Sequence, residues 1–436
     1  MLVNRELINQ IKPFLDKKEY LAIIGPRQSG KTTLLDLIKE YLINEKAVKP
    51  ENIKIVTFEN RILLNQFDSD PIAFINSYKN IGKANNVFYL MLDEFQYSIE
   101  GGQKLKLIFD TVKDVKIIIT GSSSLDIKAQ VGKYMVGRIL TFSLYPLNFG
   151  EFLAVKNERL QRMYKDKNKK LTDWVLAEEA GEYFKDAEDV FASEFLKLFE
   201  EYAIWGGYPR VVLSESADEK LKVLNDIQNN YILKDIKGLL ELATDKNLLL
   251  MSQFLAAQIG NILVYKNLSQ ASQLDYRKTI DHLRILQETF IVDFARPYFK
   301  NKQKELSKNP KVYFFDLGFR NSLIGNAVSF ERRSDVGAMA ENVVYLKLKS
   351  FLNGFGGINF WRSKIGAEVD FIVNLKGEIF PIEVKFSSFE KPTVSRSFIS
   401  FVKSFKPKKG LVLTKNFQGM IEKDGCKILF YPIYYF

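Results

Sequence analysis

The sequence predicts an α/β chain of several domains, and three observations carry that reading. An apolar strand, a glycine-rich loop and an amphipathic helix follow one another within residues 20–44, as at the start of a parallel sheet with ligands at its strand ends. Strand and helix patterns then alternate to about residue 145 before a long helical stretch takes over. Near the C-terminus short strands return with paired charges, as in "EIFPIEVKFSS" at 378–388. At 436 residues the chain exceeds one ordinary domain, and 46% hydrophobic with 13% aromatic residues supplies large cores. A net charge of +11 favours an anionic partner, nucleic acid ahead of a membrane surface. Cys426 is the only cysteine and His282 the only histidine, which excludes disulfides, cysteine-rich zinc sites and paired-histidine mechanisms. The N-terminal "MLVNRELINQIKPFL" has no apolar signal-peptide core and no run reaches a membrane span, so a cytoplasmic protein without a membrane partner is expected.

The first element is the most specific. Leu21 to Ile24 form the strand, and Gly25-Pro26-Arg27-Gln28-Ser29-Gly30-Lys31-Thr32 fits GxxxxGK[ST], followed by Thr33 and a helix with Leu34, Leu35 and Ile38 on one side. Glycines let backbone N–H groups curl around phosphates, and the helix N-terminus adds a favourable dipole. Lys31 is expected on the β- and γ-phosphates of ATP and the Thr32 hydroxyl on Mg²⁺. A second apolar strand, Val87 to Leu92, ends in Asp93-Glu94, an acid to hold Mg²⁺ through water and a neighbour to polarise the attacking water. A third, "DVKIIITGSSS", ends in hydroxyl residues that place Ser122 or Ser123 level with the γ-phosphate.

The segments GPRQSGKTT, LMLDEFQ and ITGSSS resemble the AAA-like ATPases widespread in archaea and bacteria. That family carries a Gly-Arg pair before a strand and a "P-L-x-F-x-E-F" segment, matched by Gly137-Arg138 and by Pro146-Leu147 through Phe149, Glu151 and Phe152. The resemblance implies ATP turnover, a charge-stabilising role for Arg138 that can be offered to a neighbouring subunit of a homo-oligomer, and a closing segment at Trp205-Gly206-Gly207-Tyr208-Pro209. The charged stretch from Glu151 to Glu201 reads as a lid or insertion.

From about Asp235 the pattern is helical, with two short helices around a turn near Asp275. Strands "FIVDFARPY" and "KVYFFDLG" follow, joined by a loop carrying Lys300, Lys302, Lys304 and Lys308. Helices then a hairpin describe a winged helix whose basic tip suits DNA phosphates.

In "IFPIEVKF" the strand period points Glu383 and Lys385 to the same face. The [DE]xK tripeptide recurs elsewhere and is uninformative alone, but Asp370 lies opposite Glu383 in a hairpin turning at Lys376-Gly377. An upstream amphipathic helix brings Glu341. This set resembles the restriction-endonuclease-like fold of PD-(D/E)xK nucleases, often fused to the ATPase family above. It implies a Mg²⁺ site, with Mn²⁺ as an alternative, at Asp370 and Glu383, and Lys385 beside the attacking water. The expected domains are 1–150 P-loop ATPase, 151–234 helical lid, 235–318 winged helix and 319–436 nuclease-like. The expected function is an ATPase acting on DNA, with nuclease cleavage left open. The alternative is a nucleotide-dependent switch or scaffold whose C-terminal domain binds without cutting.

Overall fold

A computed structural model describes residues 3–79, 87–122, 131–177, 189–230, 245–352, 356–375 and 377–436. The chain forms two compact units, 1–147 with 284–291, and 148–283 with 292–436.

The first unit is a five-stranded parallel sheet of β1 Tyr20–Ile24, β2 Ile53–Thr57, β3 Phe88–Asp93, β4 Val115–Gly121 and β5 Ile139–Ser143, in the order β2-β3-β4-β1-β5. β1 and β3 are buried along their whole length, as parallel strands covered on both faces must be. The helix Lys31–Asn44 buries Leu34, Leu35, Ile38 and Leu42 in one core with Leu21 and Ile23, each burial contributing roughly 1.5–3 kcal/mol. Because β4 lies between β1 and β3, the ends of all three strands emerge side by side. That insertion aligns the glycine loop, Asp93 and the Thr120–Ser122 segment.

The second unit holds a mixed eight-stranded sheet. Its strands are β6 Val292–Pro297, β7 Lys311–Phe314, β8 Ile358–Arg362, β9 Glu368–Leu375, β10 Glu378–Lys385, β11 Lys409–Thr414, β12 Gly419–Lys423 and β13 Cys426–Pro432, ordered β12-β13-β11-β10-β9-β8-β6-β7. β9 and β10 pair antiparallel from Glu378↔Leu375 to Ile382↔Phe371. Gly377 sits at φ +90°, a turn position that favours glycine, while Lys376 lies outside the described residues. The helix Arg396–Phe405 connects β10 to the parallel β11 and buries Phe398, Phe401 and Val402 against Trp361, Val369 and Ile372.

The helices Asp245–Ala257, Tyr265–Ser272 and Tyr276–Glu288 precede the β6–β7 hairpin, with the turn near Asp275 where the sequence places it. The expected helical start at Asp235 lies outside the described residues. The hairpin itself differs from a free wing. β6 also pairs parallel with β8 through Arg296↔Asn359 and Pro297↔Phe360, so the hairpin is the edge of the C-terminal sheet. Its composition gives the reason: Val292, Ala295 and all of Lys311–Phe314 are buried, more apolar surface than a solvated wing can cover. The expected boundary at 318/319 falls inside the helix Leu317–Leu323.

That helix anchors the Trp205–Pro209 segment. Asp316 caps it by accepting from Phe319 N at 2.8 Å and also accepts Gly207 N at 2.7 Å. Two glycines permit the approach: a Cβ on Gly206 would lie 2.2 Å from the Asp316 carboxylate, and one on Gly318 would lie 1.9 Å from the Trp205 carbonyl. Asn321 donates to the Ala203 and Ile204 carbonyls at 3.1 and 2.8 Å, closing the end of the helix Ala192–Trp205. Burial pushes the Asp316 carboxyl up to about 6 despite the backbone N–H groups that favour its charge. Between about pH 4 and pH 6 the folded state therefore binds more protons than the unfolded chain, and this group's contribution to stability falls as pH rises through that window. Urea unfolding of wild type and Asp316→Asn across pH 4–7 is expected to show the difference between them changing by up to about 3 kcal/mol below pH 6 and constant above. A pH-independent difference would overturn this.

Candidate functional site

The glycine loop is built by close contacts. Leu144 N donates to Ile24 O at 2.7 Å, and a Cβ on Gly25 would lie 2.0 Å from Leu144 O, so only glycine fits. Gly30 takes φ +92° at the start of the helix. Arg5 donates to Ser29 O and Tyr145 O, both at 2.6 Å, and holds the loop from behind. Lys31 is buried, donating to the Gly25 and Pro26 carbonyls at 3.1 and 3.0 Å. Burial lowers its ammonium to about 8, opposed by the nearby Glu94 and Asp93.

Thr32 Oγ1 donates to Asp93 Oδ2 at 2.6 Å, and Thr120 Oγ1 donates to the other oxygen of the same carboxylate. Glu94, in a left-handed conformation at φ +54°, has its N–H donated to Thr120 Oγ1 at 3.1 Å. Gln96 Nε2 donates to Glu94 Oε2 and reaches Ser122 Oγ at 3.3 Å. Ser122 thus joins the Glu94 side of the site, while Ser123 lies outside the described residues. Thr120, Gln96 and Arg5 were not singled out by the sequence. Thr120 stands in the quoted ITGSSS segment, but nothing marked Gln96 or Arg5.

These residues suit a nucleotide and Mg²⁺. Thr32 and Asp93 already place two hard oxygen donors together, and Ser29 Oγ is buried without a hydrogen-bond partner among the described residues. Arg138 does not join them in this chain. It pairs with Asp110 at 3.5 Å, and its carbonyl accepts Tyr20 N at the opposite end of β1 from the loop.

In the second unit the expected acids do come together, with unexpected company. Continuing the β9–β10 register by one pair sets Asp370 opposite Glu383, and Asp370 Oδ2 accepts Val384 N at 2.8 Å. Glu383 pairs with Lys385 at 3.0 Å and accepts Ser395 Oγ at 2.9 Å. Glu341, from the helix Val336–Leu352, accepts Lys311 Nζ at 2.9 Å and Tyr313 OH at 2.5 Å. Lys311 also reaches Glu368 at 2.7 Å. Burial disfavours the Lys311 charge, yet Glu341, Asp370 and Glu368 together hold its ammonium above the ordinary range. Burial raises Glu341 to about 7, against the pull of Lys311, and likewise raises Asp370 and Glu383. Lys311 was invisible as a site residue because its strand reads as part of a separate hairpin.

A divalent metal suits this second set less well. Among the described residues no three His, Cys, Asp or Glu side chains cluster to hold an ion, and Glu341 and Glu383 already carry lysine partners. An ion there has to displace an ammonium group.

Compared with known proteins, residues 17–153 match the AAA domain family, and 196–329 and 336–434 match two families described as domains of unknown function, DUF8612 and DUF4143. An uncharacterized protein of Haemophilus influenzae is 25% identical over 442 residues, covering 99% of this chain and 97% of the relative. One from Methanocaldococcus jannaschii is 25% identical over 384 residues, covering 85% and 75%. Among solved structures, a Walker-type ATPase of Pyrococcus abyssi aligns at TM-score 0.40 with 14% identity, over 74% of this chain and 95% of that one. AMPPCP-bound DnaA from Aquifex aeolicus aligns at TM-score 0.29 with 12% identity, over 66% and 88%. No helix among the described residues is long and apolar enough to cross a membrane. The N-terminal sheet with its glycine loop and Asp93 is the part of the chain that matches the AAA domain family.

Proposed function

We propose that the chain hydrolyses ATP at the N-terminal site and uses the cycle to act on DNA. The observation that carries this reading is the junction of three strand ends, where Thr32, Asp93 and Thr120 share one hydrogen-bonded carboxylate and Glu94 stands beside it. Gly25, Arg27, Gln28, Ser29 and Gly30 surround the phosphates with backbone N–H groups, Pro26, which has none, shapes the loop, and Thr33 continues the helix start. Lys31 leaves the loop carbonyls for phosphate oxygens. Thr32 and Asp93 hold Mg²⁺, which neutralises phosphate charge when bound. Glu94 orients and deprotonates the attacking water, and Ser122 with Gln96 fixes the Glu94 carboxylate. Arg138 serves only a neighbouring copy, in a cytoplasmic homo-oligomer.

For the second site two readings stand. The nuclease reading gives Mg²⁺ or Mn²⁺ to Asp370 and Glu383, with Lys385 and Glu341 supporting cleavage. The lysines on Glu341 and Glu383 favour the other, a nucleotide-dependent switch whose C-terminal unit binds without cutting. One experiment separates them: ATP turnover with and without DNA, and cleavage of labelled DNA with Mg²⁺ or Mn²⁺, for wild type, Lys31→Ala and Lys385→Ala. The expected result is DNA-stimulated turnover lost in Lys31→Ala, without cleavage. Metal-dependent cleavage lost in Lys385→Ala would establish the nuclease, and turnover indifferent to DNA would remove the DNA reading.

A further inference from the structure

The two lysine-rich segments of the second unit are about a hundred residues apart in sequence but meet in the fold. The connection after β6 carries Lys300 and, in the short helix Lys302–Ser307, Lys304, and the end of the helix Arg396–Phe405 carries Lys403 and Lys406. Phe405 joins them. Its ring packs edge-on against Tyr298 at 5.6 Å, and the Lys300 ammonium lies 5.6 Å from its centroid. The nearby acids are already taken, Glu305 by Lys302 at 2.9 Å and Glu378 by Lys408. Lys300, Lys304, Lys403 and Lys406 are exposed and have no carboxylate partner among the described residues. Lys406 also ends its helix at φ +51°, where glycine is the less strained choice.

Beside this junction runs an open groove of about 520 Å³, lined by Tyr298, Phe299, Lys300 and Lys302, with Gly356 and Gly357 bringing backbone to its surface. Unpaired ammonium groups beside a concave surface with half-buried rings, Lys300 lining it directly, match a phosphodiester backbone with bases able to reach aromatic faces. A membrane surface would favour protruding apolar side chains, and here Leu306 is the exposed one, at 65%.

We propose that this edge, from the β6–β7 connection to the end of the Arg396–Phe405 helix, is a nucleic-acid binding surface; it rests on the DNA reading above and places the contact. Binding of the full chain to a fluorescein-labelled DNA duplex and to its single strand is followed by anisotropy between about 50 and 200 mM salt. Wild type is compared with the triple variant Lys300→Gln, Lys403→Gln, Lys406→Gln. A second triple, Lys165→Gln, Lys169→Gln, Lys222→Gln, removes equal charge elsewhere on the same unit. The first triple is expected to weaken binding at least tenfold at low salt and to flatten the log–log salt dependence by about 2–3 units. The second should leave the slope unchanged. Wild-type binding with equal slopes in both triples overturns the surface while the DNA reading stands. No wild-type binding to either DNA overturns both. Binding instead to vesicles of equal parts phosphatidylserine and phosphatidylcholine, lost in the first triple, makes the edge a membrane contact and also overturns the proposal.

Discussion

Replacing Glu94 by glutamine is expected to lower ATP turnover by roughly 10²–10⁴-fold while leaving ATP affinity within a few fold, as loss of a general base does. The substitution keeps size and removes only the proton acceptor. The hydrogen bonds of Lys31, Thr32 and Asp93 do not involve the Glu94 side chain, although its charge helps to support the Lys31 ammonium. The Glu94 carboxylate is held by Gln96, while that of Asp93 is held by Thr32 and Thr120. Two neighbouring acids on one strand end thereby have different hydrogen-bond partners. Single-turnover hydrolysis beside equilibrium binding of a fluorescent ATP analogue measures both quantities. A parallel loss of affinity and turnover would assign Glu94 to nucleotide binding instead.

Replacing Lys311 by methionine is expected to destabilise the second unit by about 3–5 kcal/mol, the range for removing one partner of a buried ion pair. Lys311 is 2% exposed and spans Glu341 and Glu368, so its loss leaves the largely buried Glu341 carboxylate without an ammonium partner, while Glu368 keeps Arg362. Part of the cost is relieved by protonation of Glu341, whose carboxyl burial already raises to about 7. Adding Glu341→Gln should accordingly restore at least about 1 kcal/mol relative to the sum of the single effects. Denaturant midpoints of the four proteins test this. Additive losses would mean that Lys311 and Glu341 are not energetically coupled.

The two sites differ in how far the sequence reveals them. The ATPase site is local: Gly25 to Thr32, Asp93-Glu94 and Thr120–Ser122 each stand at the end of an apolar strand, and parallel pairing must bring those ends together. In the second unit, Asp370 and Glu383 are legible because one hairpin joins them. Lys311 and Tyr313 are not, because β7 reaches Glu341 through the pairing of β6 with β8 and the bonds between Phe314 and Asn342, contacts between distant segments that no local period encodes. The same pairing is why the hairpin reads as a free wing in sequence. Arg138 shows the converse, a matched motif residue whose position is set by Asp110 rather than by the loop. Gly206 is marked by the family resemblance, but its partners Asp316 and Gly318 escaped notice because a close approach between distant backbones leaves no pattern in either segment.

The shared edge strand also bears on how this chain can be divided. A fragment cut where the C-terminal family match begins, at residue 336, lacks β6 and β7 and so takes away Lys311. It leaves Glu341 without its lysine, though Glu368 keeps Arg362, and leaves β8 with an unpaired rim, the condition under which sheets recruit foreign strands. β6 and β7 fall within the preceding match, residues 196–329, so the eight-stranded sheet is divided between two family matches. A fragment that keeps the whole sheet has to begin no later than residue 292, and a cut at the family boundary delivers an incomplete sheet.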